Sequence, residues 1–477
     1  MLLNDLPKYI ECKKKYNIKK TNIYFQSIFT NSKAVKKSSI YVIDSRNKFK
    51  NKYIKESITK GAVALITNKY QKNYLIPQYI VSDINKNTKL LIKKLFPNPP
   101  LNSVAVTGTN GKTSVVWFIS QICELNNEFI KSYGTLGFFN NGKKIINSKL
   151  TTPEFEILYQ SAFFKKKKNL YNFVFEVSSH SLAQNRIKDF PINIAAITNI
   201  SHDHLDYHKT FKNYKNSKLR LFTHKLKKNG IAIINDNIKD SQNLKKKLIK
   251  KNKIISYGTK NSDVNIISIK NKIEIKIFTK KHLVSMLNYS AIELENIACA
   301  ICCCLALKIN IKCIINVLPK IIKPKGRLEE VGKLNNNSLV YVDYAHTPDA
   351  LKNVLISKTL LKFKPNVVFG CGGERDVDKR LLMGSIANKY ANKVYITDDN
   401  PRHEDPKKIR KTILSKCKRA IEIPDRKNAI KKAINDLQKN EILIIAGKGH
   451  ERKQIRKNQI KFFDDAQIVN YFLTKKI

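Results

Sequence analysis

The stretch Ser103-Val104-Ala105-Val106-Thr107-Gly108-Thr109-Asn110-Gly111-Lys112-Thr113-Ser114-Val115-Val116 decides the fold. Residues 103–106 are short and valine-rich, the pattern of a strand buried on both faces. A glycine-rich turn follows, and residues 114–124 space their apolar side chains as a helix does. Strand, glycine loop and helix in that order make an anion nest, because backbone N–H groups and the positive helix end converge on one spot. In such a loop Lys112 reaches the β- and γ-phosphates of ATP, and the Thr113 hydroxyl can ligate Mg²⁺. Gly108, Thr109, Asn110, Gly111 and Ser114 complete the candidate cradle. The common phosphate-loop pattern has an earlier glycine at the position of Val106, so this loop is a shorter form: glycine, two residues, then Gly-Lys-Thr. The competing reading is a chance glycine turn, which the flanking strand and helix disfavour.

Outward from this unit, Pro97-Asn98-Pro99-Pro100 forms a stiff linker on one side. A second break falls at Lys323-Pro324-Lys325-Gly326, after a helical stretch over 290–309. The expected domains are therefore 1–98, 99–324 and 325–477, and 477 residues suit about three domains. Strand-like runs at 173–177, 194–198 and 230–234 alternate with lysine-rich helical stretches, and those at 338–342, 366–369, 393–397 and 441–445 repeat the alternation. This predicts an α/β protein with mostly parallel sheets and ligands at the C-terminal strand ends. The first unit, with strands expected at 39–43 and 62–67, reads as a smaller mixed α/β domain.

With 42% apolar and 9% aromatic residues the chain is not of the disordered class. No apolar signal segment follows Met1, and the longest apolar run, 297–307, falls short of the ~18 residues a membrane span needs. A cytosolic protein without membrane insertion is expected. Cys299, Cys302, Cys303 and Cys304 lack the spaced pairs and accompanying histidines of a zinc site, so reduced core packing is the expectation. The net charge of +53 is spread along the chain, with lysine runs at 165–168 and 246–251. Aromatics do not interleave with those runs as a base-stacking platform requires, so solvated surface is the better reading than nucleic-acid binding. A negatively charged substrate would still benefit from the field.

Glu176, in Glu176-Val177-Ser178-Ser179-His180, ends a buried-strand pattern, where a carboxylate can face the phosphates. The following dense run, Thr198-Asn199-Ile200-Ser201-His202-Asp203-His204-Leu205-Asp206-Tyr207-His208, fits a zinc site, a general-base cluster, a polar loop, or a magnesium or phosphate role.

Taken in order, these motifs resemble the Mur ligase family, which builds the peptide of bacterial cell-wall precursors. The resemblance rests on 107–113, Glu176-Val177-Ser178-Ser179-His180, Asp203-His204-Leu205-Asp206-Tyr207-His208, Gly326-Arg327-Leu328-Glu329, Asp343-Tyr344-Ala345-His346-Thr347-Pro348-Asp349, 370–376 and Gly447-Lys448-Gly449-His450-Glu451. It implies a uridine-diphosphate-binding first domain, a central ATPase domain and a Rossmann-like C-terminal domain. Asp399-Asn400-Pro401-Arg402 is similar to the selector of members that add meso-2,6-diaminopimelate to UDP-N-acetylmuramoyl-L-alanyl-D-glutamate. An arginine suits a substrate with a distal carboxylate, which it can grip with two parallel hydrogen bonds.

The resemblance further implies that Arg375, Asp399, Asn400, Pro401, Arg402, Gly447 and Glu451 bind diaminopimelate. Thr151, Thr152, Ser178, Gln184 and Arg186 would hold the muramoyl dipeptide, and Thr30 and Ser32 the nucleotide end. Arg327 and Asp343 would approach ATP, and Thr113, Glu176, His204 and Lys218, the last carbamylated to N6-carboxylysine, would hold Mg²⁺. Lys112, Lys218, His204 and Glu176 would be the catalytic group, with His204 or Asp343 assisting amine deprotonation. The first-domain pattern departs at Asn31-Ser32-Lys33, where the family has Asp-Ser-Arg, and Ser290-Ala291-Ile292-Glu293 departs from Gly-x-Phe-Asn. Three other readings follow the same residues less well: a lysine-adding relative, a folylpolyglutamate-synthetase-like ligase and a basic NTP-dependent nucleic-acid binder. A monomer acting on small molecules is expected.

Overall fold

A computed structural model describes residues 1–18, 22–148, 150–165, 171–187, 189–269, 272–286, 289–357 and 364–474. Most of the lysine run at 165–168 lies outside the described residues.

Valine- and isoleucine-rich runs form most of the strands, which make three large sheets, and Lys453–Arg456 and Gln459–Phe462 add a two-stranded hairpin among the described residues. In the first sheet the strands Ser27–Phe29, Ser39–Ile43, Ala62–Thr67 and Gln78–Val81 run parallel, and Cys12–Tyr16 adds an antiparallel edge. At the centre of the second, eleven-stranded sheet lies Ser103–Thr107, between Asn172–Glu176 and Ile192–Ile197. Its alternate residues serve two cores: Val104 and Val106 face the side of the helices Lys112–Leu125 and Ala291–Ala306, and Ala105 faces the other. The third sheet pairs Leu339–Asp343, Ile442–Ala446, Asn366–Phe369, Val394–Ile396 and Ile421–Glu422 in parallel, with Glu329–Lys333 antiparallel at one edge.

The expected alternation of strand and helix holds at the centre of the second sheet and fails at its flanks. One flank is an antiparallel meander, Val264–Ile269, Lys272–Ile277 and Lys280–Val284; the other is the hairpin Gly137–Asn140 and Lys143–Ile146. Lysine-rich segments are thus not all helical. In Lys272–Ile277 the isoleucines are buried while the charged residues between them face outward, as a strand with one wet face requires.

The helix Ala291–Ala306 buries Cys299, Cys302, Cys303 and Cys304 completely, and burial pushes the thiols of Cys302, Cys303 and Cys304 up. The atypical segment at 290–293 caps that helix: the Ser290 hydroxyl accepts from Glu293 N, and the Glu293 carboxylate accepts from Ser290 N at 2.7 Å. Among the described residues no helix is long and apolar enough to cross a membrane.

Candidate active site

Three adjacent strand ends assemble the phosphate loop. Ser103–Thr107 releases the chain into the loop, Asn172–Glu176 delivers Glu176, and Ile192–Ile197 delivers Thr198 and Asn199. Val106 is a fully buried sheet residue paired with both neighbours, which is why the loop starts only at Gly108. At Gly108 a Cβ would lie 1.8 Å from Thr198 Oγ1. Gly111 has φ +85°, the left-handed region, and a Cβ there would lie 2.3 Å from Asn296 Oδ1. The loop is pinned from behind: Asn199 Oδ1 accepts from Asn110 N at 2.9 Å, and the Thr109 hydroxyl shares a 2.8 Å bond with the Tyr214 hydroxyl.

Lys112 Nζ donates to the carbonyls of Gly108 and Thr109, both at 2.8 Å. Burial lowers its affinity for a proton, and Glu176 and Asp203 oppose that shift. Glu176 is 1% exposed. It accepts from the Thr113 hydroxyl at 3.0 Å, from Thr135 N at 2.7 Å and from the Thr135 hydroxyl at 3.1 Å. Its carboxyl is pushed up by burial, with Lys112 pulling the other way. Lys218, on the helix Phe211–Arg220, is also 1% exposed. Its Nζ donates to Gly108 O at 2.7 Å and lies 4.5 Å from the Tyr214 ring centre. Burial first, and Lys112 second, hold its pKa well below the usual lysine value, so the neutral amine is favoured.

His204 sits at φ +55°, with Nε2 3.2 Å from Asp203 Oδ2. Burial lowers its pKa to about 3 against the opposing pull of Asp203. Burial alone would raise Asp203, but His204, His346, Lys379 and Lys112 outweigh it and bring the value to about 2. Among the described residues no group of three or more His, Cys, Asp or Glu is placed to hold a metal, so a zinc reading of 198–208 finds no ligand set.

The residues expected to hold the dipeptide form one connected chain of hydrogen bonds. Thr152 Oγ1 donates to Glu176 O at 2.9 Å and accepts from Ser178 N at 2.9 Å. Arg186 Nη1 donates to Thr152 O and its Nε to Gln184 Oε1, both at 2.8 Å, and Thr135 Oγ1 reaches Thr151 Oγ1 at 3.3 Å. Thr30 and Ser32 are held apart from this chain, each by a glutamate. Ser32 Oγ donates to Glu56 Oε2 at 2.7 Å, whereas Thr30 N donates across to Glu156 Oε1 at 3.0 Å.

The third sheet meets the loop from the opposite side. Arg327 Nη2 donates to Thr113 Oγ1 at 3.3 Å, and the Thr347 hydroxyl to Asn110 Oδ1 at 3.4 Å. His202 Nε2 and Asp376 Oδ2 are 2.9 Å apart across the same boundary. Asp343 accepts from Leu328 N and Ala345 N, both at 2.7 Å, so it shapes the turn that carries Arg327. Burial pushes its carboxyl up and Arg327 opposes the shift.

Beyond that turn, at the C-terminal ends of the third sheet, residues 399–402 meet 447–451. Asn400 Nδ2 donates to Glu451 Oε2 at 3.2 Å, and Asn400 Oδ1 accepts from Lys448 Nζ at 3.2 Å and Ile455 N at 3.0 Å. Asp399 lies 3.7 Å from Lys448 Nζ, and a Cβ at Gly447 would lie 2.9 Å from Asp399 Oδ2. Pro401 O accepts from Glu404 N at 3.1 Å. Arg402, at φ +53°, donates to Gly373 O at 2.6 Å. Arg402 and Arg375 flank Gly372, where a Cβ would lie 3.0 Å from Arg402 Nη1 and 3.8 Å from Arg375 Cγ. The Glu451 carboxyl is raised by burial and by Asp399, with Lys448 opposing.

Asn199, His202 and Asp376 lie inside quoted motifs without a role of their own, and reading by motif missed Thr135, Tyr214, Asn296 and Glu156. Thr135 had a signal, since Gly134-Thr135 ends Ile130–Gly134, the strand next to the one that carries Glu176. The others carry no local signal.

Where the phosphate loop meets Arg327 of a second α/β unit, with a mixed-charge crevice beyond, the site is built for ATP-driven chemistry on a second, charged substrate. The chain matches the Mur ligase middle domain over residues 106–304 and the Mur ligase glutamate ligase domain over 326–449. It is 40% identical to the UDP-N-acetylmuramoyl-L-alanyl-D-glutamate--2,6-diaminopimelate ligase of Rickettsia rickettsii, covering 92% of this chain and 94% of the relative. It is 36% identical to the enzyme of the same name from Buchnera aphidicola subsp. Baizongia pistaciae, covering 98% and 92%. A solved structure of a UDP-N-acetylmuramoyl-L-alanyl-D-glutamate--2,6-diaminopimelate ligase matches with TM-score 0.60 at 28% identity over 95% of each chain. The Thermotoga maritima MurF ligase in complex with ADP shares the fold, with TM-score 0.68 at 18% identity over 96% of this chain and 99% of that one. This chain belongs to the Mur ligase family.

Proposed function

We propose that this chain adds meso-2,6-diaminopimelate to UDP-N-acetylmuramoyl-L-alanyl-D-glutamate with ATP, as a cytoplasmic monomer acting on small molecules and not on nucleic acid. The observation that carries the reading is the crevice at 399–402. There Arg402 Nη1 and Arg375 Cγ both approach Gly372, and Asn400 of the same crevice holds the Glu451 carboxylate. That pattern suits a substrate with a distal carboxylate and an ammonium group. Relatives named for this reaction, spanning almost the whole chain, support it.

A carboxylate is a poor acyl donor. A D-glutamyl carboxylate oxygen therefore bonds to the γ-phosphorus, the bond to the ADP oxygen breaks, and an acyl phosphate forms. The free amine of diaminopimelate then bonds to the acyl carbon and phosphate leaves, while the amine gives up its proton. Lys112 and Arg327 offset the phosphate charge from opposite sides of Thr113, and the loop N–H groups orient it. Thr152, Ser178 and Arg186 fix the dipeptide beside Glu176. Burial lowers His204 to about 3, which makes it a weak base, so its one lone pair suits the metal better than the amine's proton.

The oxygen atoms of Thr113 and Glu176 make a hard donor set that would hold Mg²⁺, and His204 and a carbamylated Lys218 would join them. When bound, Mg²⁺ neutralises phosphate oxygens. As an amine Lys218 offers no oxygen; its neutral, buried form is the one that reacts with CO₂, forming an N–C bond and losing a proton to become a carbamate.

The test is phosphate release by the purified chain. Release should require both the UDP-muramoyl dipeptide and diaminopimelate, and lysine should not replace the latter. Stimulation by DNA or RNA instead, with no response to these substrates, would overturn the reading.

A further inference from the structure

The helix Phe155–Ala162 begins just after Thr151 and Thr152 and packs against the first sheet. It carries Glu156, a carboxylate only 3% exposed. Glu156 Oε1 accepts from Thr30 N at 3.0 Å and also from the Thr30 hydroxyl. One turn on, Gln160 Nε2 donates to Ile28 O at 2.9 Å, so two side chains of this helix grip the end of Ser27–Phe29. A buried carboxylate is costly to keep unless hydrogen bonds compensate it, and here the compensating donors both come from an exposed residue of the other unit. Both Thr30 donors are thereby committed to Glu156. The residue sits beside Ser32 at the nucleotide end, while the clasp's other half is continuous with the threonines of the dipeptide end.

We infer that Glu156 is a positioning residue: by clasping Thr30 it sets the distance between the nucleotide end and the peptide end of the extended substrate. The inference rests on the proposed function, in which residues 30–32 and 151–152 hold opposite ends of one molecule. Glu156 itself touches no reacting atom. Its loss acts on the binding of that one substrate and leaves the phosphate loop and selector crevice as they are.

Glu156→Ala should raise KM for the UDP-muramoyl dipeptide at least about tenfold, the cost of a charge-assisted hydrogen bond. KM for ATP and for diaminopimelate, and kcat at saturation, should stay within about twofold. Glu156→Gln keeps an acceptor oxygen and should restore most of the loss. Thr30→Val, an exposed substitution that removes only the hydroxyl, should give an intermediate KM and serves if Glu156→Ala does not fold. An unchanged KM, an equal rise for ATP, or no rescue by Glu156→Gln would overturn the inference. If the wild-type chain does not turn over this substrate, the proposed function fails first. The clasp is then read alone by hydrogen exchange: Glu156→Ala, or the milder Glu156→Asp if it does not fold, should speed exchange at the Thr30 amide and spare amides of Ser103–Thr107. Unchanged exchange at Thr30 overturns the clasp.

Discussion

Gly111→Ala tests whether the short phosphate loop depends on one left-handed residue. At φ +85° an alanine carries a backbone penalty of about 1–2 kcal/mol. Its Cβ would also stand 2.3 Å from Asn296 Oδ1, so the buried Asn296 side chain must leave its rotamer at about 0.5–1.5 kcal/mol. Together these come to about 1.5–3.5 kcal/mol, or roughly ten- to three-hundred-fold in an equilibrium constant. If the loop keeps its shape, the cost appears as lost stability; if it relaxes, N–H groups swing away and the cost appears in nucleotide affinity. Calorimetric titration with a non-hydrolysable ATP analogue and urea unfolding, measured on the same preparation, capture both parts. Combining Gly111→Ala with Asn296→Ala removes the contact and leaves the backbone term, so the pair should be non-additive by about 0.5–1.5 kcal/mol. Analogue binding within twofold of wild type with an unchanged urea midpoint would refute the reasoning. So would complete recovery in the double variant, which would leave no backbone term.

Arg402→Ala should raise KM for diaminopimelate roughly ten- to a hundredfold and leave ATP binding intact; equal losses in both would sink its role. Lys218, if carbamylated, should make activity fall in CO₂-free buffer and return with bicarbonate, while Lys218→Met is inactive in either; bicarbonate-independent wild-type activity would count against the carbamate. Arg426 and Asp465 form a fully buried bidentate pair at 2.8 and 2.7 Å, so Asp465→Ala strands a guanidinium and should lower unfolding free energy by about 3–5 kcal/mol, whereas a loss under about 1 would show that the pair is dispensable. Burial lowers His346 to about 4 and His450 to about 3, so the folded chain binds fewer protons than the unfolded one between there and the ordinary histidine value near 6.5. Their stability contribution is present above about pH 6.5 and is lost as pH falls toward 4, so urea midpoints should drop over that window; a flat profile there contradicts the assignment.

The parts of the site that lie along one strand and its next turn were legible from residue types. Val104 and Val106 declare a buried strand, Gly108 to Thr113 declare an anion nest, and Glu176 declares itself by ending the neighbouring apolar run. The meander at 264–284 was equally local, since Ile273, Ile275 and Ile277 alternate with charged residues, but its lysines resemble those of the surface helices. What no window of sequence holds is a contact between distant units. Arg327 meets Thr113 across 214 positions, and Thr30 meets Glu156 across 126. Lysine makes the same point within one residue type. Lys218 has the composition of the chain's many surface lysines, and Lys215 on the same helix pairs with Asp240 at the rim. The packing of Phe211–Arg220 behind the loop, with Tyr214 on Thr109, buries Lys218 and leaves Lys212 and Lys215 outside the core. Burial is what depresses its proton affinity, and that depressed affinity gives an otherwise ordinary lysine the chemistry of a nucleophilic amine.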